Sequence, residues 1–245
     1  MSALLEVDSV TKRFGGLIAV KQVSLTLLKG EITGVLGPNG AGKTTLFNLL
    51  TGFIPPDSGS VIFDGAPIRG LPPYRIVHRG LARTFQLCRP FVGMTVQENV
   101  MVGCLGAGRH GQERAAVRAL ELLAMVRLED KARLPAELLP YGDQRRLEIA
   151  RALATTPKLL LLDEPFAGLG SAEIEPLSEL IRRLHREQGL TILIIEHKLR
   201  EFMKLVKRVI AMDFGEVIAT GDPETIVRDP RVVEAYIGKD EHVPA

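Results

Sequence analysis

Features that would place the chain in a special class of protein are scarce or absent. Its 245 residues include no tryptophan and two cysteines, Cys88 and Cys104, which lack the spacing of a metal site. A disulfide is possible on count alone, but a reduced cytosolic pair is favoured. No apolar run approaches the ~20 residues of a membrane-spanning helix, and the N-terminus is too polar for a signal peptide. We therefore expect a cytosolic chain that relies on another subunit for any membrane-spanning part.

The balance of charge and hydropathy excludes further classes. The net charge is only +2, which gives no strong attraction to nucleic acid. Hydrophobic residues make up 46% and charged residues 24%, an ordinary globular composition that excludes a disordered chain. The length is enough to bury a sizeable core, in one large domain or two closely joined ones.

Hydrophobic periodicity predicts an α/β fold. Alternating residues predict N-terminal antiparallel strands at 3–9 and 18–27. Short apolar runs predict further strands at 31–36, 60–63, 81–85, 158–162 and 190–195. A helix predicted at 173–187 separates the last two strands, and this strand–helix–strand order implies a parallel sheet.

The middle of the chain is predicted to be helical. Residues 112–126 have helical periodicity, and a second helix is predicted at 143–155. The predicted buried face of the first helix holds Ala116, Leu120, Leu123 and Val126. We therefore predict a single domain, 1–245, in which a mostly helical subdomain is inserted into an α/β core. The predicted bounds are 86–155 for the insertion and 1–85 plus 156–245 for the core.

A glycine-rich loop between a predicted strand and a predicted helix (residues 43–51) carries the most specific motif. It runs Gly37, Pro38, Asn39, Gly40, Ala41, Gly42, Lys43, Thr44, and matches the phosphate-loop pattern at every fixed position. Glycines let successive backbone N–H groups turn toward phosphate oxygens, and the helix N-terminus adds partial positive charge. Lys43 would reach the β- and γ-phosphates, and the Thr44 hydroxyl would ligate Mg²⁺. The motif favours a nucleoside triphosphate site and disfavours a chance glycine-rich turn. It does not separate transporters, kinases, GTPases and helicases, which all share it.

Two carboxylates end a strand of four leucines at 159–162. Asp163 emerges at the carboxyl edge of the predicted sheet, where ligands bind, and is expected to hold Mg²⁺. Glu164 faces another direction, where it can polarise an attacking water as general base. Alone, the pair would be interpreted as a capped turn with solvated acids; beside a phosphate loop the catalytic interpretation is favoured.

A second helix start with phosphate-binding character follows about a hundred residues after the first. It runs Leu139, Pro140, Tyr141, Gly142, Asp143, Gln144 and continues into Arg145-Arg146-Leu147. Gly142 would offer free backbone N–H groups to an anion there.

These motifs, in this order, resemble those of the ATP-binding cassette (ABC) ATPases from about residue 4 to 238. The resemblance implies that Phe14 stacks on adenine and that Gln86 senses Mg²⁺ and water. It implies further that Gly37–Thr45 is the phosphate loop, Leu139–Gln144 the signature motif, Ala167–Gly170 the D-loop and His197 the switch histidine. In this family the signature of one subunit closes over the nucleotide held by another, so a head-to-tail pair buries two ATP molecules.

Three of these residues have simpler alternative interpretations. Phe14 could be a core aromatic, although its polar, glycine-flanked setting favours an adenine platform. Gln86 could merely cap a strand, and His197 could cap a helix or lie in the core. With Glu164 as base, His197 would hydrogen-bond the γ-phosphate and orient the water.

Within the family, several stretches are similar to ATPases of branched-chain amino-acid importers. These are Thr11–Gly16, Leu81–Gln86, Tyr141–Ala150 and Ile195–His197. The resemblance implies ATP and Mg²⁺ as cofactors, membrane permeases and a second ATPase subunit as partners, and a substrate-binding protein as an indirect partner. It implies a location at the cytoplasmic face of the membrane. The alternatives are the ATPase of a lipid or lipopolysaccharide exporter, which Asp163–Gly168 is also similar to, a soluble non-transport ABC ATPase, and a P-loop kinase.

Two departures from the family pattern affect the composite site. The usual signature has serine at Pro140 and glycine at Tyr141, and branched-chain importer ATPases also tend to lack the serine. The D-loop usually ends in an acidic or amide residue, but here it ends in Gly170. A homodimer would lack the serine contact in both sites, so we expect a heterodimer with a different ATPase subunit.

Overall fold

The computed structural model describes residues 2–106 and 111–237. Its strands are β1 (Ala3–Phe14), β2 (Leu17–Leu28), β3 (Ile32–Leu36), β4 (Ser58–Phe63), β5 (Ala66–Pro67), β6 (Leu81–Arg83), β7 (Leu159–Asp163), β8 (Thr191–Ile195), β9 (Arg208–Asp213) and β10 (Glu216–Gly221). Its helices are α1 (Lys43–Leu50), α2 (Pro73–His78), α3 (Val96–Gly106), α4 (Gln112–Met125), α5 (Tyr141–Leu153), α6 (Ser171–Gln188), α7 (Leu199–Leu205), α8 (Pro223–Ile226) and α9 (Pro230–Ile237). Within these described ranges, no helix has both the length and the apolar character that crossing a bilayer requires.

The strands form two sheets. A four-stranded antiparallel sheet has the order β2-β1-β4-β5, and a six-stranded sheet has the order β10-β9-β3-β8-β7-β6. All neighbours in the larger sheet are parallel except β9 and β10. Every residue of β3, β7 and β8 is buried, as expected for parallel strands covered on both faces. The α/β fold with a parallel sheet, an antiparallel N-terminal sheet and a helical insertion is therefore confirmed.

Two hydrophobic clusters lie on opposite faces of the six-stranded sheet. Leu160, Leu162 and Ile192 belong to the cluster shared with the helices α3 to α6. Leu159 and Leu161 belong to the cluster shared with the antiparallel sheet and α1. Because side chains alternate along a strand, Asp163 follows the parity of Leu159 and Leu161. Strand parity therefore directs Asp163 toward the face on which α1 lies.

The face of α4 that packs on the core differs from the predicted one. Ala115, Ala119, Leu122 and Leu123 are its buried residues. Leu120, which was predicted to be buried, is 43% exposed, so that prediction was wrong. Both sets have helical spacing, and contacts with α3 and α5 select between them.

Several element bounds also differ from the predictions. The helix predicted at 143–155 begins two residues earlier, at Tyr141, with Pro140 in the N-cap position. The strand predicted at 81–85 ends at Arg83, which leaves Gln86 in a loop. We predicted neither α3 nor the β9–β10 hairpin. Apolar residues surround α3 instead of forming a single stripe, so its helical period is weak.

Candidate functional site

The phosphate loop lies where β3 ends and α1 begins. Gly42 is the N-cap of α1 in a left-handed conformation, and no side chain caps the helix. The N-terminus of α1 thus carries no side-chain cap, and the helix dipole favours negative charge there.

Close backbone contacts require glycine at two positions of this loop. A Cβ atom on Gly37 would lie 2.3 Å from the Met212 carbonyl oxygen. A Cβ atom on Gly42 would lie 2.3 Å from the Ala19 carbonyl oxygen, and its φ of 95° is strained for any other residue. The loop is thus held between the β9–β10 hairpin and β2, a constraint that the local motif alone does not reveal.

Lys43 lies inside the loop. Its Nζ donates hydrogen bonds to the carbonyl oxygens of Gly37, at 2.6 Å, and Pro38, at 2.9 Å. The side chain is buried, so a positive charge is concentrated beside the N-terminus of α1.

Glu164, the first residue after β7, has an unusual backbone conformation. Its φ is 48°, in the left-handed region that costs a non-glycine residue ~1–3 kcal/mol. Its N–H donates to the Ile195 carbonyl oxygen at 2.9 Å, which ties the end of β7 to the end of β8. This turn separates the direction of the Glu164 carboxylate from that of Asp163.

Gln86, Glu164 and His197 converge, although they are far apart in the sequence. Gln86 Nε2 donates to Glu164 Oε2 at 2.8 Å, and His197 Nδ1 lies 3.6 Å from the same oxygen. Glu164 is mostly buried, whereas about half of the His197 side chain is exposed. A carboxylate with an amide and an imidazole beside it can accept a proton from a water and hold that water in place.

Glu196, which sequence reasoning missed, hydrogen-bonds to the backbone around Glu164 and His197. It is completely buried, and its carboxylate accepts hydrogen bonds from the backbone N–H groups of Phe166 (2.7 Å), His197 (2.8 Å) and Lys198 (3.0 Å). It therefore fixes both the turn after Glu164 and the backbone of His197. An acidic residue directly after the apolar strand β8 was the available signal.

Thr44, Gln86 and Asp163 line one cavity of about 630 Å³. The described residues contain no cluster of three or more His, Cys, Asp or Glu side chains suited to a metal ion. Hydroxyl, amide and carboxylate oxygens are nevertheless the donors that Mg²⁺ prefers, and Mg²⁺ often uses few protein ligands beside phosphate. The donor set fits Mg²⁺ held jointly by the protein and a nucleotide.

Phe14 ends β1 and is half-exposed, so it is not a core residue. Lys12 Nζ lies 5.6 Å from the centre of its ring. The paired strand β2 contacts the phosphate loop through the Ala19 carbonyl oxygen. An exposed ring on this hairpin can accept a stacked base.

The predicted signature residues form the first turn of α5. Asp143 forms ion pairs with Lys131 and Arg146, and Gln144 Nε2 donates to the Leu139 carbonyl oxygen at 2.8 Å. A Cβ atom on Gly142 would lie 2.4 Å from Glu173 Oε1, so a larger residue there would displace the Glu173 carboxylate.

The Tyr141 ring packs against the D-loop. A Cβ atom on Gly168 would lie 2.7 Å from the Tyr141 ring. The Tyr141 hydroxyl accepts a hydrogen bond from Arg145 at 2.8 Å. The Gly168–Tyr141 contact therefore joins the D-loop to the helix α5.

Arg145 and Glu148, also missed, connect α5 to the loop that carries Gln86. Arg145 is buried and donates to the carbonyl oxygens of Phe85 (2.9 Å) and Gln86 (2.5 Å). Glu148 accepts from the Phe85 N–H at 2.6 Å and from the Cys88 thiol at 3.3 Å. Burial raises the pKa of Glu148, and burial followed by the charge of Glu148 raises the pKa of Cys88 to about 12. The Gln86 loop and the signature helix are thus one hydrogen-bonded unit.

Comparisons with known proteins identify the class to which this site belongs. Residues 20–167 match the family described as ABC transporter, and residues 216–242 match the family described as branched-chain amino acid ATP-binding cassette transporter. The high-affinity branched-chain amino acid transport ATP-binding protein LivG of Salmonella typhimurium is 44% identical over 250 residues, which cover 96% of this chain and 98% of LivG.

Two similar solved structures are cassettes with nucleotide. The ADP conformation of MJ1267, an ATP-binding cassette of an ABC transporter, superposes with a TM-score of 0.88 at 32% identity and covers 97% of this chain and 100% of that one. The dimeric cassette MJ0796 bound to ADP and Pi has a TM-score of 0.80 at 29% identity, covering 89% of this chain and 98% of that one.

Proposed function

We propose that this chain, which belongs to the ATP-binding proteins of ABC transporters, hydrolyses ATP to drive uptake of branched-chain or other small hydrophobic amino acids. The observation that carries the proposal is the convergence of Gln86, Glu164 and His197 at the edge of the sheet that also bears the phosphate loop. The match of residues 216–242 favours this importer over a lipid exporter or a soluble ABC ATPase.

The nucleotide binds between the phosphate loop and Phe14. The uncapped N-terminus of α1 and Lys43 bind the phosphates, and the exposed Phe14 ring stacks on adenine. Thr44, Gln86 and Asp163 would hold Mg²⁺, which supplies charge that neutralises the phosphate oxygens.

Glu164 then acts as the general base. Its carboxylate accepts the proton of the attacking water, while Gln86 fixes one carboxylate oxygen and His197 orients the water toward the γ-phosphate. The hydrogen bonds of Glu196 hold the Glu164 turn and the backbone of His197 in fixed relative positions. Little rearrangement is therefore needed at the moment of reaction.

The complete site is shared between two ATPase subunits. The first turn of α5, at Tyr141, Gly142 and Asp143, contacts the nucleotide of a second subunit through its helix N-terminus. The existence of a dimeric relative with ADP and Pi supports the pairing of two subunits. Pro140 offers no hydroxyl to this contact, which leaves the backbone N–H groups of α5 to make it. Because a homodimer would carry this deficit twice, the second subunit is a different ATPase.

An apolar groove next to the site suits a membrane partner. Leu87, Phe91 and Val102 line the same cavity as Gln86, and all three are exposed. A permease helix lying in this groove would press on the loop that carries Gln86, so ATP binding and permease movement would be linked. The chain would then work at the cytoplasmic face of the membrane, with a substrate-binding protein delivering the amino acid from outside.

Uptake of labelled leucine, in cells that lack the chain and are supplied with wild type or Glu164→Gln, tests the function. We expect wild type to restore leucine uptake and Glu164→Gln to fail while still binding ATP, because an amide cannot accept the proton of the water. Uptake of a charged amino acid is the control. Leucine uptake that is unaffected by loss of the chain would overturn the substrate assignment, and normal turnover by Glu164→Gln would remove Glu164 as base.

The heterodimer is tested by the ATPase rate as a function of protein concentration. The purified chain alone should hydrolyse ATP slowly, and a partner ATPase with its permeases should raise the rate. A full rate from this chain alone, rising with the square of its concentration, would contradict the heterodimer and leave the ATPase assignment intact.

A further inference from the structure

Arg83 forms a buried ion pair with one of the carboxylates of the site. Its Nη2 lies 2.6 Å from Asp163 Oδ2, and its Nη1 donates to Asn48 Oδ1 at 2.6 Å. The exposed fraction is only 5% for the Arg83 side chain and 3% for Asp163. The pair is therefore held away from solvent, where attraction between charges is weakly screened.

Two aromatic rings fix the position of the guanidinium group. Its central carbon lies 5.5 Å from the centre of the Phe47 ring and 5.1 Å from that of Phe85. Phe47 belongs to α1, the helix that follows the phosphate loop, and Phe85 is next to Gln86. Arg83 is thus held by both segments that border the nucleotide.

This arrangement is poorly explained as a device for stability. The Arg83 Nε is buried without a hydrogen-bond partner among the described residues. Burying a charged pair already costs desolvation energy, and an unsatisfied donor adds to that cost. Asp163 is needed at the site, however, and a buried carboxylate requires a nearby positive charge.

We propose that Arg83 is a positioning residue for the magnesium site. Its guanidinium neutralises and orients the Asp163 carboxylate in the absence of metal, so Mg²⁺ has to compete with Arg83 for that carboxylate. Arg83 consequently raises the Mg²⁺ concentration at which the nucleotide binds. The inference rests on the proposed function, because it takes Asp163 to be the carboxylate on the metal side. Arg83, Thr44 and Asp163 line the same cavity, as this competition requires.

The test compares Arg83→Met with wild type. Methionine keeps much of the apolar volume between the two rings and removes the charge. We would measure the affinity for a non-hydrolysable ATP analogue by calorimetry at graded free Mg²⁺. Loss of a competing charged hydrogen bond should lower the half-maximal Mg²⁺ concentration about tenfold, which corresponds to ~1.4 kcal/mol. Without nucleotide, Mg²⁺ alone should raise the Tm of Arg83→Met but leave that of wild type nearly unchanged.

Three further variants separate the possible outcomes. Arg83→Lys keeps a charge but not the paired contacts with Asp163 and Asn48, so its Mg²⁺ midpoint should lie between wild type and Arg83→Met. Arg182→Met, which removes a partly exposed arginine on α6, should not change the midpoint. Asp163→Asn should raise the Mg²⁺ midpoint, because it removes one ligand and leaves the Arg83 charge unpaired beside the site; an unchanged midpoint would overturn the assignment of Asp163 in the proposed function.

A lower Tm with an unchanged Mg²⁺ midpoint in Arg83→Met would show a purely structural role and overturn the inference. If Arg83→Met does not fold, Arg83→Lys decides the question. An unchanged midpoint in Arg83→Lys would then count against the proposal, and a lowered midpoint would support it.

Discussion

Replacing Arg145 with methionine should destabilise the chain more than the same change at its neighbour Arg146. Arg145 is 2% exposed and donates hydrogen bonds to the carbonyl oxygens of Phe85 and Gln86 and to the Tyr141 hydroxyl. Methionine fills similar apolar volume but leaves these acceptors unpaired. It also leaves the buried Glu148 without its cation, which lies 3.4 Å away.

The magnitude follows from the burial of these groups. Breaking a buried charged contact by removing one partner costs ~3–5 kcal/mol. For a chain of this size each kcal/mol lowers Tm by about 2–4 °C, so Arg145→Met should lower Tm by about 6–20 °C. The Gln86 loop should open locally at a lower free energy than the rest of the core, because it loses both of its carbonyl anchors.

Arg146→Met is the matched control, because it makes the same change one residue along the same helix. Arg146 is 26% exposed, and Asp143 lies 3.5 Å from it. Such surface ion pairs contribute ~0–1 kcal/mol to the free energy of unfolding. Calorimetry or urea unfolding of the two variants, with hydrogen exchange at residues 85–88, measures the difference. Equal destabilisation by the two variants would refute the account of Arg145 as an anchor of the Gln86 loop. So would a decrease of less than ~1 kcal/mol in the free energy of unfolding of Arg145→Met.

Three other predictions concern single side chains of the site. Lys43→Ala should weaken ATP binding, since it removes the cation at the phosphates; an unchanged affinity at physiological salt would count against the phosphate loop. Phe14→Ala should weaken ATP and GTP alike by about 1–3 kcal/mol, because stacking does not read base edges, and calorimetry with both nucleotides checks this. In a Cys104→Ser background, the Cys88 thiol should react slowly with iodoacetamide at pH 8, because its pKa of about 12 keeps it protonated. Glu148→Gln should speed this reaction by removing the negative charge beside the thiol, and fast labelling of the folded Cys104→Ser protein would contradict the raised pKa of Cys88.

The central strands and the phosphate loop could be predicted from the sequence because their signals are local. The four leucines of β7 are typical of a strand buried on both faces, and strand parity then directs Asp163 toward α1. The glycines at 37 and 42 belong to one contiguous motif that can be recognised within eight residues of sequence. Glu164 was identified from its position after β7, and Gln86 and His197 by resemblance; the structure brings the three side chains together.

The packed face of α4 was not decided by the sequence. Two sets of apolar residues on that helix have acceptable spacing, and only the positions of α3 and α5 select Ala115 and Ala119 over Leu120. The first turn of α5 likewise begins at Tyr141 because Pro140 fits the extended N-cap conformation that precedes it.

The groups that support the site were decided by tertiary structure alone. Arg83 meets Asp163 across 80 residues of sequence, and Arg145 meets Gln86 across 59. In the sequence each of these charged residues is indistinguishable from one on a solvated face. Its role comes from burial, since a charge enclosed with few waters must find its partner among whatever groups the fold brings near it. Local sequence thus determined which residues are candidates for the chemistry, and long-range packing determined which residues hold them in place.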